Sequence, residues 1–287
     1  MNKLKTFSLL LLLTLLFLII GNMIGGNAGM AIGFIFAVIM NFTSYWFSDK
    51  IVLSMYGAKE ISQESEPKLY QMIKELALQA NIPTPKLYYI NSNMPNAFAT
   101  GRDPEHAVVA VTEGILNILD ERELRGVIAH EISHVKNRDI LIGSVAATVA
   151  GAIMLIARFA FFFGGSRDNK NPLAMILFMI LAPVAAMLIQ MAISRSREYI
   201  ADETGGIISK DPLALANALR KLTNGNEKLN NTVSPQTAHM FIVSPFSSKN
   251  VSNLFSTHPP VQERIKRLEH MASAAGEEKY KIPKVIY

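Results

Sequence analysis

Four long apolar runs constrain the fold of this chain more than any other feature. They are Leu4 to Ile20, Ala28 to Trp46, Ile140 to Phe163 and Pro172 to Ile193. A helix rises about 1.5 Å per residue, so each run is about long enough to cross a hydrocarbon core of ~30 Å. The chain is 50% hydrophobic and only 18% charged, which is unusually apolar for a soluble domain. The sequence therefore predicts a mainly α membrane protein with four hydrophobic helices.

Other interpretations of these runs remain open. The first run could be a signal peptide, although a second apolar run follows within a few residues and no small-residue cleavage site lies between them. The third and fourth runs could form a buried helical pair of a soluble core, or a hairpin that enters the bilayer only halfway. Their length favours two complete spans, whereas Arg158, the one charge in the pair, argues against a span at the third run.

Basic residues predict on which side of the membrane the polar segments lie. Lys3 precedes the first run and Lys5 lies at its very start, residues 21–27 contain no Lys or Arg, and basic residues are frequent after Ser48. Lys and Arg are enriched on the cytoplasmic side of membrane proteins, so we expect the polar segments in the cytoplasm. The expected organisation is a pair of transmembrane helices at 1–47, a first polar segment at 48–139, a hydrophobic helical hairpin at 140–193 and a second polar segment at 194–287.

Short strand-like and helical patterns fill the polar segments. The stretches KLYYI, NAFAT and AVVAVT are separated by turn residues and predict a small antiparallel sheet. The stretches ERELRGVIAHEISHVKNRD and SRSREYIADETGG predict helices. The two segments together are therefore expected to form one α+β domain.

Composition limits the chemistry and the partners of this domain. The chain has no cysteine, so a transition-metal site must use His, Asp and Glu side chains. The net charge is +5, but the basic residues are scattered and no basic-aromatic stripe accompanies them. We therefore expect the positive charge to face the lipid bilayer, and we expect no nucleic-acid partner.

The stretch VIAHEISHVKNRD carries two histidines on one side of a predicted helix. Residues four apart project from the same side of a helix, so His130 and His134 can direct their imidazoles at one metal ion while Glu131 stands beside them. Zinc held by two histidines and a carboxylate keeps a position for water, and a nearby glutamate can accept a proton from that water. The pattern is typical of a zinc hydrolase, although an exposed helix with two histidines on its polar face would have the same spacing.

The third metal ligand is expected after the fourth apolar run. Glu198 and Asp202 are four apart on a predicted helix that begins where that run ends, and His134 lies just before the third run. A hairpin of two antiparallel helices returns the chain to its starting point, which would bring Glu198 next to the histidines. We predict Glu198 as the ligand and Asp202 as a hydrogen-bond partner that orients a ligand imidazole. The alternative is solvent-facing charge balanced by Arg195 and Arg197.

Several motifs together resemble a known family. Two N-terminal spans, NAFATG, HEISH, an apolar hairpin, SRSREYIAD and STHPPVQERI follow one another in the order found in the HtpX-type membrane zinc metalloproteases, relatives of the CAAX prenyl protease group. The resemblance covers the chain from the first span to about Leu268 and implies a zincin-like catalytic domain. It implies one Zn²⁺ per chain, bound by His130, His134 and Glu198, with Glu131 as the general base.

The resemblance also implies roles that spacing alone does not indicate. NAFATG is similar to a strand beside the active-site cleft that pairs through its backbone with an extended substrate, so Asn96, Ala97 and Phe98 are expected to bind substrate. His258 resembles a residue that stabilises the oxyanion of the tetrahedral intermediate. Read from the residues alone, Asn96 would be a turn former and His258 a helix-entry residue before Pro259.

Three functions compete at this stage. The first is a multi-pass endopeptidase of the cytoplasmic (inner) membrane that cleaves damaged or misassembled membrane proteins, or unfolded polypeptides, at the cytoplasmic face as quality control under stress. The second is a membrane scaffold or chaperone-like protein with a structural metal site, which normally has four protein ligands. The third is a transporter, which is disfavoured because the ligands fall at the ends of the spans.

Overall fold

The structure, a computed structural model, describes residues 2–146, 148, 149, 153, 195–226, 241, 242 and 259–279. The fourth apolar run and most of the third lie outside the described residues. The predicted oxyanion residue His258 also lies outside them.

The first helix, α1 (Asn2–Met55), consists of two arms that meet at a kink. Gly26 has a φ of 56°, a backbone conformation that residues other than glycine rarely adopt, so the chain can turn there. Next to the turn the backbones of the two arms are in close contact. A Cβ on Gly21 of the first arm would be only 2.3 Å from the carbonyl oxygen of Gly29 of the second. The amide of Asn41 on the second arm donates a hydrogen bond to the carbonyl of Leu10 on the first.

The second arm has the length and composition of a membrane span. Residues Gly25–Met55 have a mean hydropathy of 1.6, and within the described part of the chain this is the one helix long and apolar enough to cross a bilayer. The first arm contains a shorter apolar helix, Thr6–Asn22. Large apolar side chains of the second arm are exposed, among them Ile32, Phe34 and Ile39. Such a surface suits lipid rather than water.

Four strands form a mixed sheet. They are β1 (Lys59–Glu60), β2 (Lys86–Ile90), β3 (Ala97–Thr100) and β4 (Val108–Thr112), in the order β1-β2-β4-β3. β3 and β1 run antiparallel to their neighbours, but β2 and β4 are parallel. The prediction of an antiparallel sheet was therefore wrong for this central pair. It assumed that strands adjacent in sequence are adjacent in the sheet, whereas β4 lies between β2 and β3.

Six further α-helices belong to the described part of the chain. They are α2 (Pro67–Ala80), α3 (Glu113–Ile118), α4 (Glu121–Lys136), α5 (Arg195–Ser209), α6 (Pro212–Asn226) and α7 (Val261–Lys279). Helix α4 begins with a capping box, in which Asp120 and Glu123 satisfy each other's backbone N–H groups. Its residues Val127, Ile128 and Ile132 are fully buried, because the sheet, α5 and α6 enclose it. A central helix of this kind can hold polar side chains away from water.

The third hydrophobic helix starts directly after α4. Arg138 has a φ of 57°, which ends α4, and the chain is helical again at residues 140–146. Ile142, Val145 and Val149 pack in one apolar cluster with Leu13 and Phe17 of the first arm. The segment that leaves α4 therefore packs against the first arm of α1.

Candidate metal centre

Helix α4 directs two imidazoles at one point. The Nε2 atoms of His130 and His134 are 3.2 Å apart, and the two rings are perpendicular. His130 is 1% exposed, so its imidazole is removed from water. Because the two histidines are four residues apart, both side chains lie on the same side of α4, as the sequence predicts.

Helix α5 contributes a carboxylate to the same point. The two oxygens of Glu198 lie 3.7 Å from the Nε2 atoms of His130 and His134, one oxygen to each ring. One ligand atom from each of the three residues lies within 4.8 Å of the others. The helices approach this closely because Gly205 of α5 contacts the backbone of His130. The structure thus brings the three predicted ligand residues together.

A carboxylate lies behind each imidazole. The Nδ1 atom of His130 is 3.0 Å from Asp202 Oδ1, although the two atoms are not aligned as a hydrogen bond. The Nδ1 atom of His134 is 3.1 Å from Asp139 Oδ2. Such partners favour a proton on Nδ1 and leave Nε2 available for a metal. The structure thus places Asp202, the predicted partner of a ligand imidazole, beside His130, and it places Asp139 beside His134.

Arg264 on helix α7 is a site residue that the sequence interpretation missed. Its side chain is fully buried, and its Nε and Nη2 atoms donate hydrogen bonds to the two oxygens of Asp202 at 2.8 and 2.7 Å. A signal for it exists in the sequence, because Val261, Ile265 and Leu268 form an apolar stripe that includes position 264. An arginine on the buried side of a helix needs a buried carboxylate as partner.

Glu131 is buried beside the histidines and attached to strand β3. Its Oε2 accepts a hydrogen bond of 2.9 Å from the backbone N–H of Ala99. Burial raises the pKa of the Glu131 carboxyl above its ordinary value, even though both histidines act in the opposite direction. A carboxylate with a raised pKa is a better proton acceptor near neutral pH.

The charges of the site fit a divalent cation. Four buried carboxylates, those of Glu131, Asp139, Glu198 and Asp202, surround the imidazoles. The guanidinium groups of Arg264 and of the partly buried Arg197 are among the cations that act on these carboxylates. A cation placed between the imidazoles and Glu198 would be attracted by this concentration of carboxylates. Ligands of the types His, His and Glu match the donor set that zinc accepts.

In the metal-free site the surrounding carboxylates favour the protonated form of His134. Burial by itself would lower the pKa of its imidazole, but the carboxylates of Asp139, Glu198 and Glu131 raise it to about 10. A metal ion must displace this proton, because only the neutral imidazole coordinates. Burial also disfavours the charged form of Asp202, yet the guanidinium of Arg264 holds the pKa of that carboxyl below its usual range.

The predicted substrate-binding residues lie at the start of the edge strand β3, with Asn96 immediately before it and Ala97 and Phe98 as its first two residues. The side chains of all three are buried. Thr112 N donates to Asn96 O, and the Ala99 N–H points to Glu131 rather than to β4. Because antiparallel residues alternate in the direction of their backbone groups, Ala97 and Ala99 face away from the sheet. Their role in substrate binding stays a prediction.

An enzyme that hydrolyses peptide bonds with a metal-activated water needs an open coordination position, a nearby base and access for an extended chain. The described residues bring together three possible metal ligands and a buried glutamate, and the same chain has a helix apolar and long enough to cross a membrane. These features define a membrane-associated metalloprotease. The profile described as Peptidase family M48 matches residues 63–272. The chain belongs to this family.

Relatives agree with this assignment over most of the chain. A "Protease HtpX homolog" from Desulforapulum autotrophicum is 55% identical over 277 residues, covering 94% of this chain and 90% of the relative. Another from a Sulfurihydrogenibium species is 56% identical over 285 residues, covering 94% of this chain and 96% of the relative. The crystal structure of S. mikatae Ste24p resembles the fold with a TM-score of 0.50 at 19% identity, and it covers 82% of this chain but only 57% of the Ste24p chain.

Proposed function

We propose that this membrane-associated metalloprotease uses a single Zn²⁺ per chain, bound by His130, His134 and Glu198, to cleave polypeptides internally. The observation that carries the proposal is the convergence of three ligand atoms within 4.8 Å of one another, next to a buried glutamate. A bound zinc ion supplies Lewis acidity, because it lowers the pKa of coordinated water and polarises the scissile carbonyl. The protein's own residues supply proton transfer and orientation.

Glu131 is the proposed general base. Its Oε2 is engaged by the Ala99 N–H, so Oε1 is the oxygen that accepts the proton of the attacking water. The same oxygen then delivers the proton to the leaving amine. The hydrogen bond to Ala99 keeps the carboxylate at a fixed distance from β3, where the scissile bond is expected to lie. His258, which we expect to assist the oxyanion, lies outside the described residues.

Strand β3 is proposed to bind the substrate in an extended conformation. It is the edge strand on the side of α4, and Ala97 and Ala99 direct backbone groups away from the sheet, of which the Ala99 N–H already donates to Glu131. An added strand forms main-chain hydrogen bonds with little dependence on sequence. Only an unfolded segment can bind in this way, which supports damaged or misassembled polypeptides as substrates. Quality control under stress would be the corresponding biological role.

The proposed location is the cytoplasmic face of the inner membrane, with the chain crossing the bilayer several times. Arg102, which follows β3 after Gly101, has its guanidinium carbon 4.9 Å from the ring centre of Trp46. Trp46 lies near the end of the second arm, and tryptophan is enriched at the boundary between lipid and water. The cleft strand is therefore expected near the bilayer surface. Residues 48–139 and 194–287 would form one catalytic domain between and after the membrane helices at 1–47 and 140–193.

A structural metal site in a membrane scaffold is the alternative function. Structural zinc sites normally use four protein ligands, and among the residues that the structure describes the cluster contains three. The buried Glu131 would also have no purpose in such a protein. These observations favour the peptidase.

The test is a comparison of Glu131→Gln with the wild type in detergent, with zinc content and cleavage of an unfolded membrane protein as readouts. We expect Glu131→Gln to keep its zinc and to lose cleavage by a factor of at least ~100, because general-base catalysis contributes about that much. Glu121→Gln, on the exposed side of the same helix, is the matched control and should cleave normally. Equal cleavage by Glu131→Gln and wild type would remove Glu131 from the mechanism.

The ligand assignment is tested separately. Glu198→Ala should reduce zinc content, because only the two histidines would remain of the cluster. Full zinc occupancy in this variant would reject Glu198 as the third ligand.

A further inference from the structure

The buried guanidinium of Arg264 connects the two halves of the proposed active site. We propose that Arg264 is a positioning residue that fixes the metal ligand His130 and the substrate strand β3 relative to each other. The inference rests on the proposed function, since it concerns how that metal and that substrate are held. It adds a residue from the last described helix, which contributes no ligand of its own.

One side of the guanidinium acts on the metal ligands. Its Nε and Nη2 atoms hold both oxygens of Asp202, and Asp202 Oδ1 is 3.0 Å from His130 Nδ1. Its Nη1 atom is 3.8 Å from Glu198 Oε2. Asp202 therefore cannot rotate away from the His130 ring without breaking a bidentate ion pair. The orientation of the imidazole depends on Arg264 through this carboxylate.

The other side of the guanidinium acts on the substrate strand. Its Nη1 atom donates a hydrogen bond of 2.8 Å to the carbonyl of Ile242. The N–H of Ile242 in turn donates a long hydrogen bond, 3.4 Å, to the Asn96 side-chain oxygen. Asn96 immediately precedes β3, and its own N–H donates to Thr112 Oγ1 at 2.8 Å. A continuous series of polar contacts thus leads from His130 to the first residues of the edge strand.

The geometry requires arginine and not merely a positive charge. A guanidinium carries donors in a rigid plane, so it can hold a carboxylate with two of them and a carbonyl with a third. A lysine ammonium at the same place would keep the charge but could not reproduce these directions. The conservative variant Arg264→Lys therefore separates orientation from charge.

Stability alone does not explain a buried ion pair. Replacing such a pair with apolar side chains of similar volume is often neutral or stabilising, because desolvation offsets the attraction between the charges. A purely structural Arg264 could therefore be exchanged together with Asp202 without loss. A positioning Arg264 could not, and this difference can be measured.

The experiment uses the full-length protein in detergent with Glu131→Gln as background, so that no readout depends on cleavage. Zinc affinity is measured by competition with a chelator, and the Co²⁺-loaded protein gives an absorption spectrum of the ligand geometry. Polypeptide affinity is measured at saturating zinc by the fluorescence anisotropy of labelled, reduced and carboxymethylated α-lactalbumin, which stays unfolded. The control is Arg220→Lys, which alters an ion pair of α6 with Glu269 of α7 at the surface.

We expect Arg264→Lys to lower zinc affinity roughly 10- to 100-fold, the usual cost of losing a partner of a metal ligand, and to change the Co²⁺ spectrum. It should also weaken polypeptide binding about tenfold, because Asn96 loses its support. Asp202→Asn should weaken zinc alone, and Arg220→Lys neither. Unchanged zinc and polypeptide affinities in folded Arg264→Lys, or loss of only one of them, would overturn the proposal.

A second variant covers the case in which Arg264→Lys does not fold. The double variant Asp202→Leu with Arg264→Met replaces the ion pair by apolar side chains and should retain the fold. Positioning predicts that this folded protein still binds zinc and polypeptide weakly. Recovery of both affinities together with the fold would make Arg264 structural and reject the inference. Cleavage by the Glu131→Gln background would be a separate result, which contradicts the general base and not Arg264.

Discussion

The close approach of α5 to α4 at Gly205 sets the distance between the metal ligands, and Gly205→Ala should disturb it. A Cβ at position 205 would lie 2.9 Å from both the Cα and the N of His130. Carbon atoms in ordinary contact are about 3.5–4.0 Å apart, so the helices would have to separate by roughly 0.5–1 Å. The contact atoms belong to backbone, which cannot rotate out of the way.

A separation of this size matters more for the metal than for the fold. Overpacking of a core by one methyl group costs about 1–3 kcal/mol, and the better helix propensity of alanine returns up to ~1 kcal/mol. Metal–ligand distances, by contrast, tolerate only about ±0.2 Å. Glu198 moves with α5 and His130 with α4, so the variant can no longer satisfy both. We expect zinc affinity to fall at least about tenfold, which corresponds to ~1.4 kcal/mol.

The matched control is Gly126→Ala, one turn before His130 on α4. A Cβ there would be 2.6 Å from the backbone N of Leu215 on α6, so the substitution overpacks the contact of α4 with a helix that carries none of the three proposed ligands. Thermal unfolding is measured in chelator, where metal binding cannot contribute to stability, and zinc affinity by chelator competition. Both variants should lose stability, but only Gly205→Ala should lose zinc affinity. Normal zinc affinity in Gly205→Ala, or an equal loss in both variants, would refute this account.

Two further predictions concern the carboxylates that face the imidazoles. The pKa of His134 is raised from 6.5 to about 10 in the metal-free protein, so the stability that its protonated ring contributes is fully present below pH 6.5 and is lost as the pH rises toward 10. The thermal midpoint measured in chelator should therefore fall between these pH values, and it should fall less in His134→Asn. A midpoint that stays constant over this interval would contradict the reasoning. Asp139→Asn should lower zinc affinity by roughly 10- to 100-fold, measured by chelator competition, because the Nδ1 of His134 loses an ionic partner. Asp103→Asn, which affects an exposed His106 contact, is its control, and equal zinc affinity in the two variants would exclude Asp139 from the site.

The convergence of His130, His134 and Glu198 was predictable because it follows from local rules. The spacing of His130 and His134 determines their common direction on a helix, and the apolar runs indicate that the chain returns near Glu198. Asp202 followed from the same helical period. The sheet order was not predictable in this way. The parallel pairing of β2 with β4 depends on β4 lying between β2 and β3, and the alternation of residues within a strand does not reveal which strands are its neighbours.

The ion pair between Arg264 and Asp202 could not be predicted from the sequence for a related reason. Arg264 and Asp202 belong to different helices, and nothing in either stretch states that the two helices are in contact. The arginine in an apolar stripe indicates that a buried partner exists, but not which carboxylate it is. Several acidic residues would have satisfied the same requirement, and only the packing of α7 against α5 selects one.

The candidate site is also connected to the N-terminal apolar helices by the residues that follow α4. Asp139, the partner of His134, is the last residue before the helix that starts at residue 140 and packs against the N-terminal arms. In that helix, Ser144 forms a buried hydrogen bond of 2.6 Å with Thr100 at the end of β3. A metal ligand and the substrate strand are thus each held by the first turns of one apolar helix. A shift of this helix against the N-terminal arms would move both, so the geometry of the candidate site depends on the packing of these apolar helices.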